Sequence, residues 1–138
     1  MKKLILAVAM AACLVPAMAL AAEPAKNSSF QYCEKKDQCP FGFETTKNGR
    51  KLTDIKLYDK CSPVPVMNWG KIRVKANGKF KKSGTAVDVI GNAIDFTIKG
   101  RFKSRKKAVG TYLSESGDCK GKEREFVARR VGKAQPNG

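Results

Sequence analysis

The chain has 138 residues, with 28 lysines and arginines against 12 acids and no histidine, for a formal charge of +16. Without histidine, Ser-His and Cys-His nucleophile systems and histidine metal sites are excluded. The length suits one domain with a modest core.

The first residues read as a leader rather than as fold. Lys2 and Lys3 form a positive start, and Leu4 to Val15 is a short apolar run. Small residues follow at A-x-A spacing, Ala17-Met18-Ala19 and Ala19-Leu20-Ala21. This pattern predicts a secretory signal peptide over residues 1–22, cleaved after Ala21 or Ala22. The run is too short for a transmembrane helix, and no later segment supplies one. Met10-Ala11-Ala12-Cys13 is an imperfect lipobox, with Met where Leu usually stands. The apolar region continues past it, so Cys13 is assigned to the leader. Removing Lys2 and Lys3 lowers the charge from +16 to +14. The protein is expected to be exported, to the periplasm or beyond the cell.

Four cysteines remain, Cys33, Cys39, Cys61 and Cys119. An even number in an exported chain implies two disulfides. Of the three connectivities, the reading favours Cys33–Cys39, closing a short loop, and Cys61–Cys119, tying the first hairpin to the last. Cys33-x5-Cys39 lacks the spacing of a zinc knuckle, so neither a metal nor a cofactor is expected.

Residues 23–40 are expected to be a flexible leader and a cysteine-bracketed loop, residues 41–131 a single all-β domain, and residues 132–138 a tail. Phe41 to Thr46 reads as a strand, Lys47-Asn48-Gly49-Arg50 as a hairpin turn, and Leu52 to Tyr58 as the return. On that return, Ile55 and Leu57 are expected on one face, Leu52 and Tyr58 on the other. Cys61-Ser62-Pro63-Val64-Pro65-Val66 is expected to be an unpaired crossover, because two prolines disfavour ladder bonds. Trp69 is read as a lid on the core. Lys71 to Ala76 alternates strictly, with Ile72, Val74 and Ala76 on one face and Lys71, Arg73 and Lys75 on the other. Asn77-Gly78 turns the chain into Lys79 to Lys82. Ser83-Gly84 is read as another turn, before Thr85 to Ile90 with Val87 and Val89 inward.

The longest alternation runs from Ile94 to Lys103. Ile94, Phe96, Ile98 and Phe102 share one face with Gly100; Asp95, Thr97, Lys99, Arg101 and Lys103 share the other. Ser104 to Lys107 is a charged turn, Ala108 to Leu113 returns with Gly110 beside Gly100, and Glu123 to Arg130 is the last strand. About eight short strands and no helical period predict an all-β fold, an antiparallel sandwich or small barrel.

A resemblance follows from these residues. Ile72-x-Val74, Gly78-Lys79-Phe80, Phe96-Thr97-Ile98-Lys99-Gly100-Arg101-Phe102-Lys103-Ser104 and Ala108-x-Gly110-Thr111, with a following cysteine, form a pattern similar to one in small exported β-rich bacterial proteins of uncharacterised function. It covers roughly the C-terminal half of the chain. It implies a β-rich extracytoplasmic fold and brings no activity.

Lys71, Arg73 and Lys75 project from one strand, and Lys99, Arg101 and Lys103 from another, about 7 Å apart along each. On one sheet face they would form a six-cation patch, extended by the 103–107 turn. Such a patch suits an anionic envelope polymer, lipid head groups or another polyanion. The competing explanation is a solvated face that maintains solubility and blocks edge pairing. Phe80, Phe96 and Phe102 lie on the opposite face, so sequence-specific nucleic-acid recognition is not expected. A second reading is a secreted protein-interaction domain or enzyme inhibitor acting through a disulfide-braced loop, Gln31–Pro40 or Ser114–Gly121. No enzyme activity is expected. Walker and Rossmann fingerprints are absent. Glu44, Asp95, Glu115, Asp118, Glu123 and Glu125 could supply a glycoside-type pair, but none has a clearly apolar context. The protein is expected to be monomeric.

Overall fold

The computed structural model describes residues 22–59, 62–66, 69–88, 90–115 and 120–135. Alternation becomes strands β1 (Ser28–Tyr32), β2 (Phe41–Thr45), β3 (Lys51–Asp59), β4 (Ser62–Val66), β5 (Ile72–Arg73), β6 (Lys79–Val87), β7 (Ala93–Ser104), β8 (Lys107–Ser114) and β9 (Lys122–Lys133). The strands pair antiparallel in the order β4-β3-β2-β1-β9-β8-β7-β6. β5 pairs with β3, and Val74 bridges to Phe80 on β6. These contacts nearly close the sheet into a barrel, the second of the two expected architectures. No helix among the described residues is long and apolar enough to cross a membrane.

Closing a sheet brings one face of every strand onto a common interior. All seven phenylalanines of the chain lie there, each 3% exposed or less. Phe30 stacks on Phe43 at 5.2 Å, Phe41 meets Phe126 at 4.6 Å, and Phe102 meets Phe30 edge-on at 5.5 Å. Fully burying such a side chain is worth about 1.5–3 kcal/mol. Trp69 is buried against Phe96 at 5.9 Å, as expected of a lid.

One rung fixes how the walls meet. Phe80 on β6 stands opposite Gly100 on β7, Gly100 opposite Gly110 on β8, and Gly110 opposite Phe126 on β9. A side chain on Gly100 would begin 2.6 Å from the Phe80 ring, and one on Gly110 would begin 2.8 Å from the Phe126 ring. Both rings therefore occupy space that only glycine leaves open.

Several expectations are corrected. Ser83-Gly84 is not a turn but lies inside β6, which pairs with β7 over its full length. Phe80 fixes the strand's parity, so Ala86 faces in and Val87 is 56% exposed. Val89 lies outside the described residues. The turn comes instead at 88–92, where Asp88 accepts bonds from the backbone N–H groups of Ile90 (3.0 Å) and Asn92 (2.8 Å). Leu52 is buried beside Ile55 and Leu57 rather than opposite them. A bulge shifts the β2–β3 register, and Asp54 within it has φ of 46°. An extra residue in a bulge flips the facing of everything beyond it. Ala76 lies in the turn and is exposed.

Ser62–Val66 is paired with β3 rather than unpaired. It ends the sheet order, and prolines are tolerated on such an edge strand. The domain also extends beyond both expected limits. β1 lies between β2 and β9, and β9 continues to Lys133. Residues 25–28 are tied down by buried hydrogen bonds. The Thr45 hydroxyl donates to the Ala25 carbonyl (2.6 Å) and accepts the Ser28 N–H (3.0 Å). The Ala25 N–H donates to the Arg105 carbonyl (3.0 Å). The expected signal segment, Cys13 and the Cys61–Cys119 pair lie outside the described residues, apart from Ala22.

Replacing Gly110 with Ala is expected to destabilise the fold by about 1–3 kcal/mol through overpacking. Urea unfolding checks this, with an unchanged m-value. Trimming the facing ring in Gly110→Ala/Phe126→Leu should not restore stability, because the added methyl also meets the Lys99 carbonyl and the Gly100 Cα of the neighbouring strand.

Candidate functional site: a cationic wall

The parity that turns the phenylalanines inward turns lysines and arginines outward. On β6 and β7, Lys79 stands directly opposite Arg101, and Lys81 opposite Lys99. All four are exposed, as is Lys103. The Lys75 N–H donates to the Lys79 carbonyl at 2.8 Å, which places Lys75 at the near edge of the wall. Across the β7–β8 turn come Arg105, Lys106 and Lys107, and Lys107 pairs with Arg129 on β9. The Arg101 row continues through Val109 and Val127.

Like charges placed directly opposite on a sheet destabilise it. One cation here has an anionic partner. Lys99 Nζ lies 2.6 Å from Glu123 Oε1, which also accepts the Thr111 hydroxyl at 2.8 Å. The other ion pair among the described residues, Lys56–Asp54, lies elsewhere on β3. Lys79, Lys81, Arg101 and Lys103 thus have no ion-pair partner among the described residues. The wall also has polarity along its length. Asp95, bonded by the Thr85 hydroxyl at 2.5 Å, marks the acidic end, and the 103–107 turn marks the basic end.

The six expected site residues do not form one plane. Lys99, Arg101 and Lys103 lie in the wall, and Lys75 adjoins it. Arg73 stands opposite Lys51 on β3, with which β5 pairs. Lys71 lines a separate depression with Glu44, Lys47 and Asp54. In their place the wall gains Lys79, Lys81 and Arg129. Lys79 and Lys81 alternate about Phe80, a signal present in the sequence. Their position opposite Arg101 and Lys99 depends on strand pairing. Phe80, Phe96 and Phe102 face inward, so none offers a ring for base stacking.

Cys33 and Cys39 form a disulfide across a separation of six residues. The loop they close is exposed at residues 34–38 and is braced by the Glu34 N–H on the Gln38 carbonyl at 2.9 Å. Of the other expected loop, Ser114–Gly121, residues 116–119 lie outside the described residues. Glu44 is buried and accepts the Gln135 N–H at 3.0 Å, which holds the C-terminal segment on the barrel.

The Lys99 ammonium, and after it the Thr111 hydroxyl, hold the Glu123 carboxyl below the ordinary glutamate range. A carboxyl whose folded pKa is depressed stabilises the fold above its unfolded pKa. That contribution is lost as pH falls through the folded value. The Lys99–Glu123 link is therefore expected to survive mild acidification and to open only below the usual glutamate range. Carboxyl NMR titration of Glu123 checks this, and Lys99→Ala should return the midpoint toward its ordinary value. In comparisons with known proteins, the chain matches no protein-family model, no curated protein and no solved structure.

Proposed function

We propose that the protein is an exported anion-binding domain whose β6–β7 wall engages an anionic envelope polymer or lipid head groups. The observation that carries this reading is the pair of cross-strand cation pairings, Lys79 opposite Arg101 and Lys81 opposite Lys99, of which only Lys99 has an acidic partner among the described residues. A face that served solubility alone would mix its charges and avoid this repulsion. A polyanion laid across the wall turns the repulsion into attraction, with affinity that falls as salt rises. The Cys33–Cys39 disulfide suits an oxidising, extracytoplasmic setting.

The test is elution from an immobilised sulfated polysaccharide, and co-sedimentation with anionic vesicles, across a salt series. The variant Lys79→Gln/Lys81→Gln/Arg101→Gln/Lys103→Gln should elute at lower salt while keeping its near-ultraviolet circular dichroism. The slope of log affinity against log salt should become shallower by about one for each lost cation that contacts the ligand. Glu123→Gln should shift elution the other way by freeing Lys99. Elution of the four-fold variant with the wild type would contradict the proposal.

The second reading, a protein-binding or inhibitory loop, draws on the exposed, disulfide-braced 33–39 loop. Capture of a protein partner that survives high salt and is lost on loop replacement would favour it.

A further inference from the structure

A second cationic feature borders the wall at Lys75, where three separate segments of chain converge. A cleft of about 680 Å³ is bounded by residues 23–26, the 48–50 turn and residues 73–76. Each segment contributes positive charge: Lys26 from the first, Arg50 from the second, and Arg73 and Lys75 from the third. Glu23 is the only acid among the lining residues. None of the four cations forms an ion pair among the described residues.

The cleft is held in shape by backbone bonds rather than by its own side chains. The Val74 N–H donates to the Arg50 carbonyl at 2.8 Å, which clamps the second and third segments together. The Arg50 N–H donates to Asn48 Oδ1 at 3.0 Å and fixes the turn. Gly49, with φ of 71°, lets the turn pass beneath Pro24, where a side chain would begin 3.4 Å from the Pro24 carbonyl. The first segment is anchored by the Thr45–Ala25 and Ala25–Arg105 bonds and by the Asn27 N–H on the Thr46 carbonyl at 3.0 Å. With the backbone frame set beforehand, binding has only the exposed cationic side chains to order.

Two guanidinium groups and two ammonium groups around one concavity suit a compact oxyanion with several acceptor oxygens. Arginine presents planar paired donors that match phosphate or sulfate edges, and lysine adds point charge. We propose that this cleft is a discrete anion site for a single phosphate- or sulfate-class group, held by Arg50 and Arg73 with Lys26 and Lys75. Glu23 competes for the same cations from within the cleft. The site meets the wall only at Lys75, and Arg50, Arg73 and Lys26 lie outside it, so either proposal can fail without the other.

The test is a two-dimensional NMR titration of the protein with inorganic phosphate and, separately, sulfate, with ionic strength held constant by sodium chloride. A phosphate monoester forms a third arm and separates free phosphate from a phosphorylated polymer or head group. Saturable shifts are expected at the amides of Gly49, Arg50, Arg73, Val74 and Lys75, with the β7 amides unmoved. Arg50→Gln/Arg73→Gln should weaken binding at least tenfold while spectral dispersion is kept. Glu23→Gln should tighten it several-fold, and Lys79→Gln/Arg101→Gln should leave it unchanged. Should the arginine variant lose its fold, the wild-type titration together with Lys75→Gln decides. Shifts that rise linearly without saturating, or that spread over the wall, overturn the proposal. So does unchanged binding in a folded Arg50→Gln/Arg73→Gln protein.

Discussion

The structure depends on two glycines that face each other. Because Gly100 and Gly110 carry no side chains, the rings of Phe80 and Phe126 lie over them and four strands share one rung. That rung fixes the parity of β6, β7, β8 and β9 together, since strand facing alternates with period two. A one-residue slip on β7 would turn Phe96, Ile98 and Phe102 to water and bring Lys99 and Arg101 into the core. The aromatic interior and the cationic exterior are therefore two results of one constraint.

Electrostatics then separates the outer surface into regions. Around the wall, unlike charges meet at Lys99–Glu123 near the acidic end, and like charges meet at Lys79–Arg101 toward the basic end. Exposed ion pairs contribute little by themselves, so Glu123 relieves the wall only locally. At the mouth between β3 and β5, Arg50, Arg73, Lys26 and Lys75 surround a concavity rather than a plane. A flat array of cations suits an extended polyanion, whereas a cleft lined by two arginines and two lysines suits a single group. The anion-binding account therefore assigns two geometries to two kinds of contact.

Much of the frame was legible in the sequence. Ile94 to Lys103 alternates long enough to set its own facing, and the Asn-Gly pairs at 48–49 and 77–78 mark real turns. The close Cys33–Cys39 pair was also legible. What escaped depends on contacts distant in sequence. Ser28–Tyr32 is short and mixed in polarity, and it is a strand because β2 and β9 flank it. Ser83-Gly84 has turn chemistry, yet β7 pairs across it. The facing of Leu52 depends on a bulge at Asp54, for which the local pattern gives no sign. Of the wall, Lys99, Arg101 and Lys103 could be read from alternation alone. Lys79 and Lys81 join them only through register, and Arg73 is set apart by its pairing with Lys51 on β3. Arg50, far from Arg73 in sequence, joins it in the cleft only through the barrel's closure.

The central claim is that clustering, rather than net charge, makes this surface an anion site. The most direct measurement keeps the charge and moves it. In Lys79→Gln/Arg101→Gln/Gln38→Lys/Tyr58→Lys, two wall cations are removed and two are restored at exposed positions on the β1–β3 side of the barrel. Salt-gradient elution from an immobilised polyanion then compares it with the parent protein at identical formal charge. The account predicts elution at clearly lower salt for the relocated variant. Co-elution of the two would contradict it, and would mean that the protein's affinity for anions is a property of its total charge alone.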